Sequence, residues 1–239
     1  MRSHLQPHQL LVLMDFTSAK LATKPGADVI VQDCIVVLEY LDEFGSRVRR
    51  NLNFICDDYA TNDADFYFVL TVWVDLFQSE QLNDHFDCID VWSDGGPHHF
   101  KTRFCQFMWH VLSGLRFSQK PIRHHFFASY HGHSMADAHA AAVKRTLRSA
   151  YSISELQRIT RQATAGWGPA SAADLAVLLP DACANTQVKV YPTIDREWKQ
   201  KEDVCAIPAI KSYHCFEYQG GQCKAFVRTG DSNSISFTF

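Results

Sequence analysis

The sequence contains no apolar run approaching the ~20 residues that a membrane-spanning helix needs, which argues against a helical membrane protein. It contains no Cys-x-x-Cys pair. Its cysteines, at positions 34, 56, 88, 105, 183, 205, 215 and 223, number eight. The first four fall inside hydrophobic segments, where a reduced cysteine serves as a small core residue. Disulfides need an oxidising compartment, and nothing in the chain points to one. Histidine is plentiful, at twelve residues. Yet His131 and His133, two apart, have no matching Cys/His pair at finger spacing, so a structural zinc site is not expected. A basic excess is missing too: Lys and Arg total 23 against 26 Asp and Glu, with a net charge of -3. That balance counts against tight, non-specific binding to DNA. Basic residues gather only locally, at Arg47, Arg49 and Arg50, at Lys144, Arg145 and Arg148, and at Arg158 and Arg161. The segment from Met1 to Gln9 is polar and lacks an apolar signal core, so an intracellular protein is expected. There is no internal repeat and no low-complexity stretch.

What is present is a chain of 239 residues, 46% of them hydrophobic, enough to build a sizeable core. Leu10 to Met14 is a short apolar run ending in Asp15 and reads as a buried strand. Asp28 to Tyr40, rich in Val and Ile, is a second strand, and Val48 to Cys56 a third after the turn at Gly45-Ser46. Three strands joined by short connections imply an antiparallel meander. Asp63 to Gln81 has Phe66, Leu70, Trp73, Val74 and Phe77 at helical spacing, with Asn62 or Asp63 as the expected N-cap. Phe86 to Trp92 is a fourth strand. It stops at Asp94, and Gly95, Gly96 and Pro97 break the regular structure. A helix is expected from His98 to about Leu115, a strand from Ile122 to Tyr130, and an Ala-rich helix from Met135 to Ala150 with Asp137 in its first turn. Beyond Ser152 the pattern gives an amphipathic helix at 154–162, a short helix at 170–179, a strand at Gln187–Tyr191 and a hairpin around Gly220-Gly221.

The order β-β-β-α-β-α-β-α over the first part of the chain is that of the ribonuclease H-like fold. The expectation is therefore an α/β protein with a mixed five-stranded sheet, residues 8–151 forming the catalytic core. Residues 152–239 would be a helical and hairpin extension packed on it. In that fold the first strand is central and runs parallel to the fourth, so Asp15 and Asp94 would emerge side by side and the last helix would bring Asp137 to them. Ligands bind at that edge of an open α/β sheet.

Three converging carboxylates repel one another unless cations offset them. Mg²⁺ or Mn²⁺, two ions if the site is active, would do so while activating a nucleophile and stabilising the leaving oxygen of a phosphodiester. Each Asp has a plainer role available. Asp94 could cap a helix or turn the chain, and Asp137 could complement a helix dipole. Asp57, Asp58, Asp33, Glu39 and Asp90 compete as further acids, Asp58 being the additional one retained. Lys101 could contact a phosphate or be a solvated lysine. His131 and His133, in a turn beside Asp137, could contact substrate or assist proton transfer.

The segments Asp15-Phe16-Thr17, Trp92-Ser93-Asp94-Gly95-Gly96 with Phe100-Lys101, and Phe127-Ala128-x-x-His131-Gly132-x-Ser134-x-x-Asp137 followed by Val143-Lys144-Arg145 carry a resemblance. So does Ile207-Pro208-Ala209-Ile210-Lys211-Ser212-Tyr213-His214-x-Phe216. Together they resemble the DDE-type transposase-like domain of uncharacterised eukaryotic mobile-element proteins, from about Leu10 to Phe216. The resemblance implies a metal-dependent nuclease or strand-transfer domain with Asp15, Asp94 and Asp137 as metal ligands. Lys144 and Arg145 would be substrate contacts, DNA and further copies of the chain partners, and the nucleus its place of action. Two departures bear on substrate contacts: His133 stands where a lysine is usual, and Ala138 to Ala142 where glycines are. No DNA-reading module precedes residue 10, so an isolated catalytic domain or a domesticated relative is expected. The alternative is an inactive module that binds nucleic acid or protein. A weaker third class is a hydrolase using His131 or His133 with a cysteine.

Overall fold

The apolar run at Leu10–Met14 forms the first half of strand β1 (Gln9–Leu21), which lies inside a nine-stranded mixed sheet. The computed structural model describes residues 5–21, 29–56, 63–96, 99–117, 120–127, 136, 138–141, 186–197, 204–237 and 239. Strands β2 (Val29–Leu41) and β3 (Arg47–Cys56) follow β1 as an antiparallel meander. Helices α1 (Phe66–Ser79) and α2 (Leu82–His85) then lead to β4 (Cys88–Ser93), which returns parallel to β1. Helix α3 (Arg103–Leu115) connects β4 to β5 (Ile122–Phe126), again parallel. Among the described residues, no helix is long and apolar enough to cross a membrane.

The expected ribonuclease H-like five-stranded sheet is not what forms. Four more strands join it, in the order β6-β3-β2-β1-β4-β5-β7-β8-β9, and the described part is richer in strand than that expectation. Strand β6 (Thr186–Tyr191) pairs in parallel with β3 at one edge. The hairpin β7 (Cys215–Gln219) and β8 (Gln222–Phe226) turns at Gly220-Gly221, both at positive φ, and continues the sheet beyond β5. Strand β9 (Ile235–Phe237) closes that edge. The physical reason is that a sheet edge is a row of unpaired N–H and C=O groups. Residues read as an extension packed on the core instead satisfy those groups at both edges. Helix boundaries also shift: α1 is capped by Asp65, which accepts from the Phe68 amide at 3.1 Å, and not by Asn62 or Asp63. Helix α3 starts at Arg103 and not His98, with Thr102 accepting from the Cys105 amide at 3.1 Å. The helices expected at 154–162 and 170–179 lie outside the described residues.

Alternation along the strands gives the sheet two faces. One face presents Leu10, Val12, Met14, Val36, Leu38, Ile89 and Val91 to α1 and α3 and holds the main core. At its centre the Trp73 and Trp109 rings meet edge to face at 4.4 Å, and the Trp73 indole N–H points at Met14 Sδ. The side-chain amide of Gln106, fully buried on α3, donates to the Phe100 carbonyl at 3.0 Å and its oxygen accepts from the Tyr218 hydroxyl. This pins α3 to the C-terminal hairpin. The opposite face is smaller and mixed: Leu13, Ile35 and Val37 pack against Ala136 and Ala140, with Trp92 and Phe127 beside them.

Trp73→Ala is expected to destabilise the fold by about 3–5 kcal/mol in chemical denaturation, the usual cost of emptying a large aromatic site. Phe44→Ala, at the 83% exposed hairpin tip, should stay within about 0.5 kcal/mol of the parent.

Candidate active site

The β1–β4 register runs from Gln9↔Cys88 to Met14↔Ser93 and stops there. Asp15 and Asp94 are the next residues on the two neighbouring strands, so they leave that ladder together at its C-terminal end. They leave differently. Asp15 stays in β1, still paired with Ile35 of β2, and its Oδ1 accepts from the Phe16 amide at 2.8 Å. Asp94 steps out of the sheet and is exposed, and its Oδ1 accepts from the Gly96 amide at 3.3 Å. A Cβ at Gly96 would stand 2.9 Å from Asp94 Oδ2, so glycine lets the chain fold back over the carboxylate. Asp94 does not cap α3, because Thr102 does.

Beneath Asp94 the strand end is anchored. Ser93, fully buried, donates its hydroxyl to the Asp94 carbonyl at 3.1 Å and meets His124 Nε2 at 2.8 Å. Burial, with His125 and Lys101 adding to it, pushes the His124 imidazole well below its ordinary range. A neutral, sealed Ser–His pair of this kind holds a backbone and offers no nucleophile to solvent.

On the face that carries Asp15, β1 continues to Thr17, which pairs across the ladder with Asp33 of β2. Both are buried, and Thr17 Oγ1 and Asp33 Oδ1 have no hydrogen-bond partner. The other Asp33 oxygen accepts from the Asn53 side-chain amide at 2.6 Å, and Asn53 Oδ1 meets His139 Nε2 at 2.8 Å. Burial raises the Asp33 carboxyl to about 7, against the lowering effect of the Asn53 and Phe54 hydrogen bonds. The neighbouring Cys34 thiol is pushed up by burial, then by Asp33 and Asp15.

Asp137, Asp58, His131, His133, Lys144 and Arg145 lie outside the described residues. The flanking residues 136 and 138–141 are helical, and Ala136 and Ala140 pack over Leu13, Ile35 and Val37. Lys101 is described and turns inward. At 6% exposure its ammonium donates to the Lys211 carbonyl at 3.0 Å and sits 4.8 Å over the Phe126 ring. It ties the 3-10 turn at Ile210–Ser212 to the segment before α3. The exposed cations near the edge are instead Arg103 and Lys211, which border a groove of about 880 Å³ opening beside Gly95. Sequence reasoning missed both, since an isolated Arg at a helix start and an isolated Lys in a turn carry no pattern. Asp90 is no surface acid: it is buried at the other end of β4, bound by Gln9, Arg123 and His125. Burial pushes its carboxyl up, but these hydrogen bonds outweigh that and hold it below the usual range.

The donor set fits a hard cation. Asp15 and Asp94 offer only oxygen, and Mg²⁺ is commonly held by one or two carboxylates together with substrate phosphate. Among the described residues no group of three or more His, Cys, Asp or Glu side chains is placed to hold a metal. Among the described cysteines, burial lifts Cys88, Cys105, Cys215 and Cys223 to about 12, far from the thiolate.

A family model described as "Domain of unknown function (DUF8701)" matches residues 35–225. The match runs from within β2 to within β8. It includes Asp94 and the groove, and Asp15 lies before it. No curated protein matches the chain.

The raised Asp33 carboxyl makes a signed prediction. Folded Asp33 keeps its proton up to about pH 7, whereas the unfolded chain loses it near the ordinary aspartate value of 3.8. Stability from this group therefore falls as pH rises between those values and is flat above them, by at most roughly 4 kcal/mol. Melting temperatures of Asp33→Asn and parent, both in chelator, should converge at pH 4 and differ most above pH 7, with the variant the more stable.

Proposed function

We propose, for a chain that belongs to the DUF8701 family, a divalent-metal-dependent activity that cuts or joins DNA phosphodiesters, as transposase-type enzymes do. The observation that carries this reading is the joint exit of Asp15 and Asp94 from adjacent parallel strands, beside a groove bordered by Arg103 and Lys211. Two carboxylates set side by side need positive charge between them, and a polyanion that reaches them needs positive charge nearby. Arg103 and Lys211 supply the second, and a bound divalent ion would supply the first.

Asp15 and Asp94 would hold the ion, with Asp137 as the third ligand expected from the sequence. When bound, a divalent ion supplies charge neutralisation and polarises the scissile phosphoryl oxygen. The chain's own residues do the rest. Asp15 is set in an inner strand between β2 and β4, so its carboxylate is held by a rigid frame. Asp94 is held through Ser93 below and the Gly96 amide above. Arg103 and Lys211 attract the backbone and orient it against the two carboxylates.

The expected result is Mg²⁺- or Mn²⁺-dependent cleavage of a labelled DNA strand. Asp15→Asn and Asp94→Asn should each lower it by about 100-fold or more, as loss of a ligand to the ion requires. Metal should raise the parent's melting temperature and leave that of Asp94→Asn unchanged. No cleavage together with no metal-dependent rise would sink this reading and leave a non-catalytic binding module in its place.

A further inference from the structure

We infer that the groove beside Gly95 is a seat for single-stranded nucleic acid, with bases stacked on its aromatic wall and phosphates on its cations. The inference rests on the phosphodiester reading of Asp15 and Asp94 and deepens it, by choosing between a single strand and a duplex at that site.

Three observations carry it. The first is the chemistry of the wall. Tyr67 of α1 and Phe104 of α3 line the groove, are each half-buried, and come from separate elements around one space of about 880 Å³; Phe127, after β5, borders it too, its ring packed against Trp92 on the opposite face of the sheet. A duplex keeps its base faces stacked on each other, out of reach of such rings unless a base is extruded. A single strand presents them, and aromatic platforms are how proteins hold it without reading sequence.

The second is charge complementarity. Arg103, Lys211 and His214 line the same groove, and among the described residues neither Arg103 nor Lys211 is ion-paired. Asp65 is the one acid among the described lining residues, and Arg196 already pairs with it at 3.0 Å. In a chain of net charge -3, this local surplus of unpaired cation is a property of the groove and not of overall composition. Arg103 also lies 4.8 Å over the Phe104 ring, which sets charge and stacking surface next to each other. Nucleic-acid backbones and bases need that alternation.

The third is continuity. Gly95, next to Asp94, is part of the groove lining, so a strand lying in it runs directly to the carboxylate edge. Lys101 stiffens the junction by tying Lys211 to the start of α3, which fixes the two cation-bearing segments relative to each other.

The test is fluorescence anisotropy of a labelled oligothymidylate, and of a duplex of equal length, with the full chain in chelator so that cleavage plays no part. Single strand should bind more tightly than duplex. Tyr67→Leu and Phe104→Leu keep apolar volume and remove the π-face. Each should weaken single-strand binding by about fivefold or more, the low end of base–aromatic stacking, and leave duplex binding unchanged. Arg103→Gln and Lys211→Gln should each reduce the slope of log affinity against log salt by about 0.7. Melting curves check that the variants fold. Equal affinity for both forms overturns the inference, as does indifference to the ring substitutions or equal displacement by inorganic polyphosphate. Because no metal is present, a failure here is separate from a failure of the cleavage reading: a chain that cleaves duplex yet shows none of these effects loses only the groove assignment.

Discussion

The parallel pairing of β1 with β4, ending at Met14↔Ser93, is the constraint on which the rest of the structure depends. Parallel neighbours need a crossover connection, and here it carries α1 and α2 over one face. That face must then be apolar along both strands, as Leu10, Val12, Met14, Ile89 and Val91 are. The same register decides where the polar residues can begin. Up to Met14 the strand is held on both sides, and one residue later β4 has gone. Asp15 thus keeps the rigidity of an inner strand while gaining an open flank, a combination that neither a loop nor a fully paired strand provides.

Polar groups inside the sheet come at a cost, and the fold offsets most of them locally. Glu39 is fully buried but takes both Arg47 and Arg49 from the neighbouring strand. Asp90 takes donors from two neighbouring strands, Gln9 of β1 and Arg123 and His125 of β5. The exceptions among the described strands are Asp33 Oδ1 and Thr17 Oγ1 next to Asp15, the Nδ1 atoms of His124 and His125 on β5, and Thr186 Oγ1 on β6, all buried without partners. An unsatisfied buried polar atom costs on the order of 1–3 kcal/mol, so these are the places where structure has yielded stability.

The C-terminal part of the chain completes the molecule in two ways. Its strands close the sheet edges, and the segment from Ile207 to His214 forms one side of the groove against α1 and α3. The Lys101–Lys211 and Gln106–Tyr218 hydrogen bonds span about half the chain in sequence and hold that side in place. A site made this way is assembled only when distant segments have docked.

Much of the frame was legible in the sequence. The first four strands and the acids Asp15 and Asp94 that follow two of their apolar runs were readable, because burial is a local property of each run, whereas the parallel return of β4 beside β1 was expected only from the assumed ribonuclease H-like order. The continuation of β1 beyond Asp15 was not legible: Phe16-Thr17-Ser18 is polar enough to read as a strand end, and only pairing with β2 keeps it extended. Nor was the number of strands in the sheet. The strand at Gln187–Tyr191 and the hairpin around Gly220-Gly221 are readable as runs, but their pairing with β3 and β5 is not, and Ile235–Phe237 declares itself as a strand only by finding an edge to pair with. Lys101 reads as a surface cation and Asp33 as one acid among several. Burial and hydrogen-bonding partners, which are long-range facts, turned the first inward and left the second protonated near neutrality. The sequence by itself determined which residues are apolar, where the runs break and which acids end them. The tertiary structure alone decided which edges pair, which charges lose water and which rings and cations share a groove. Those depend on contacts between residues far apart in the chain, and no local pattern encodes them.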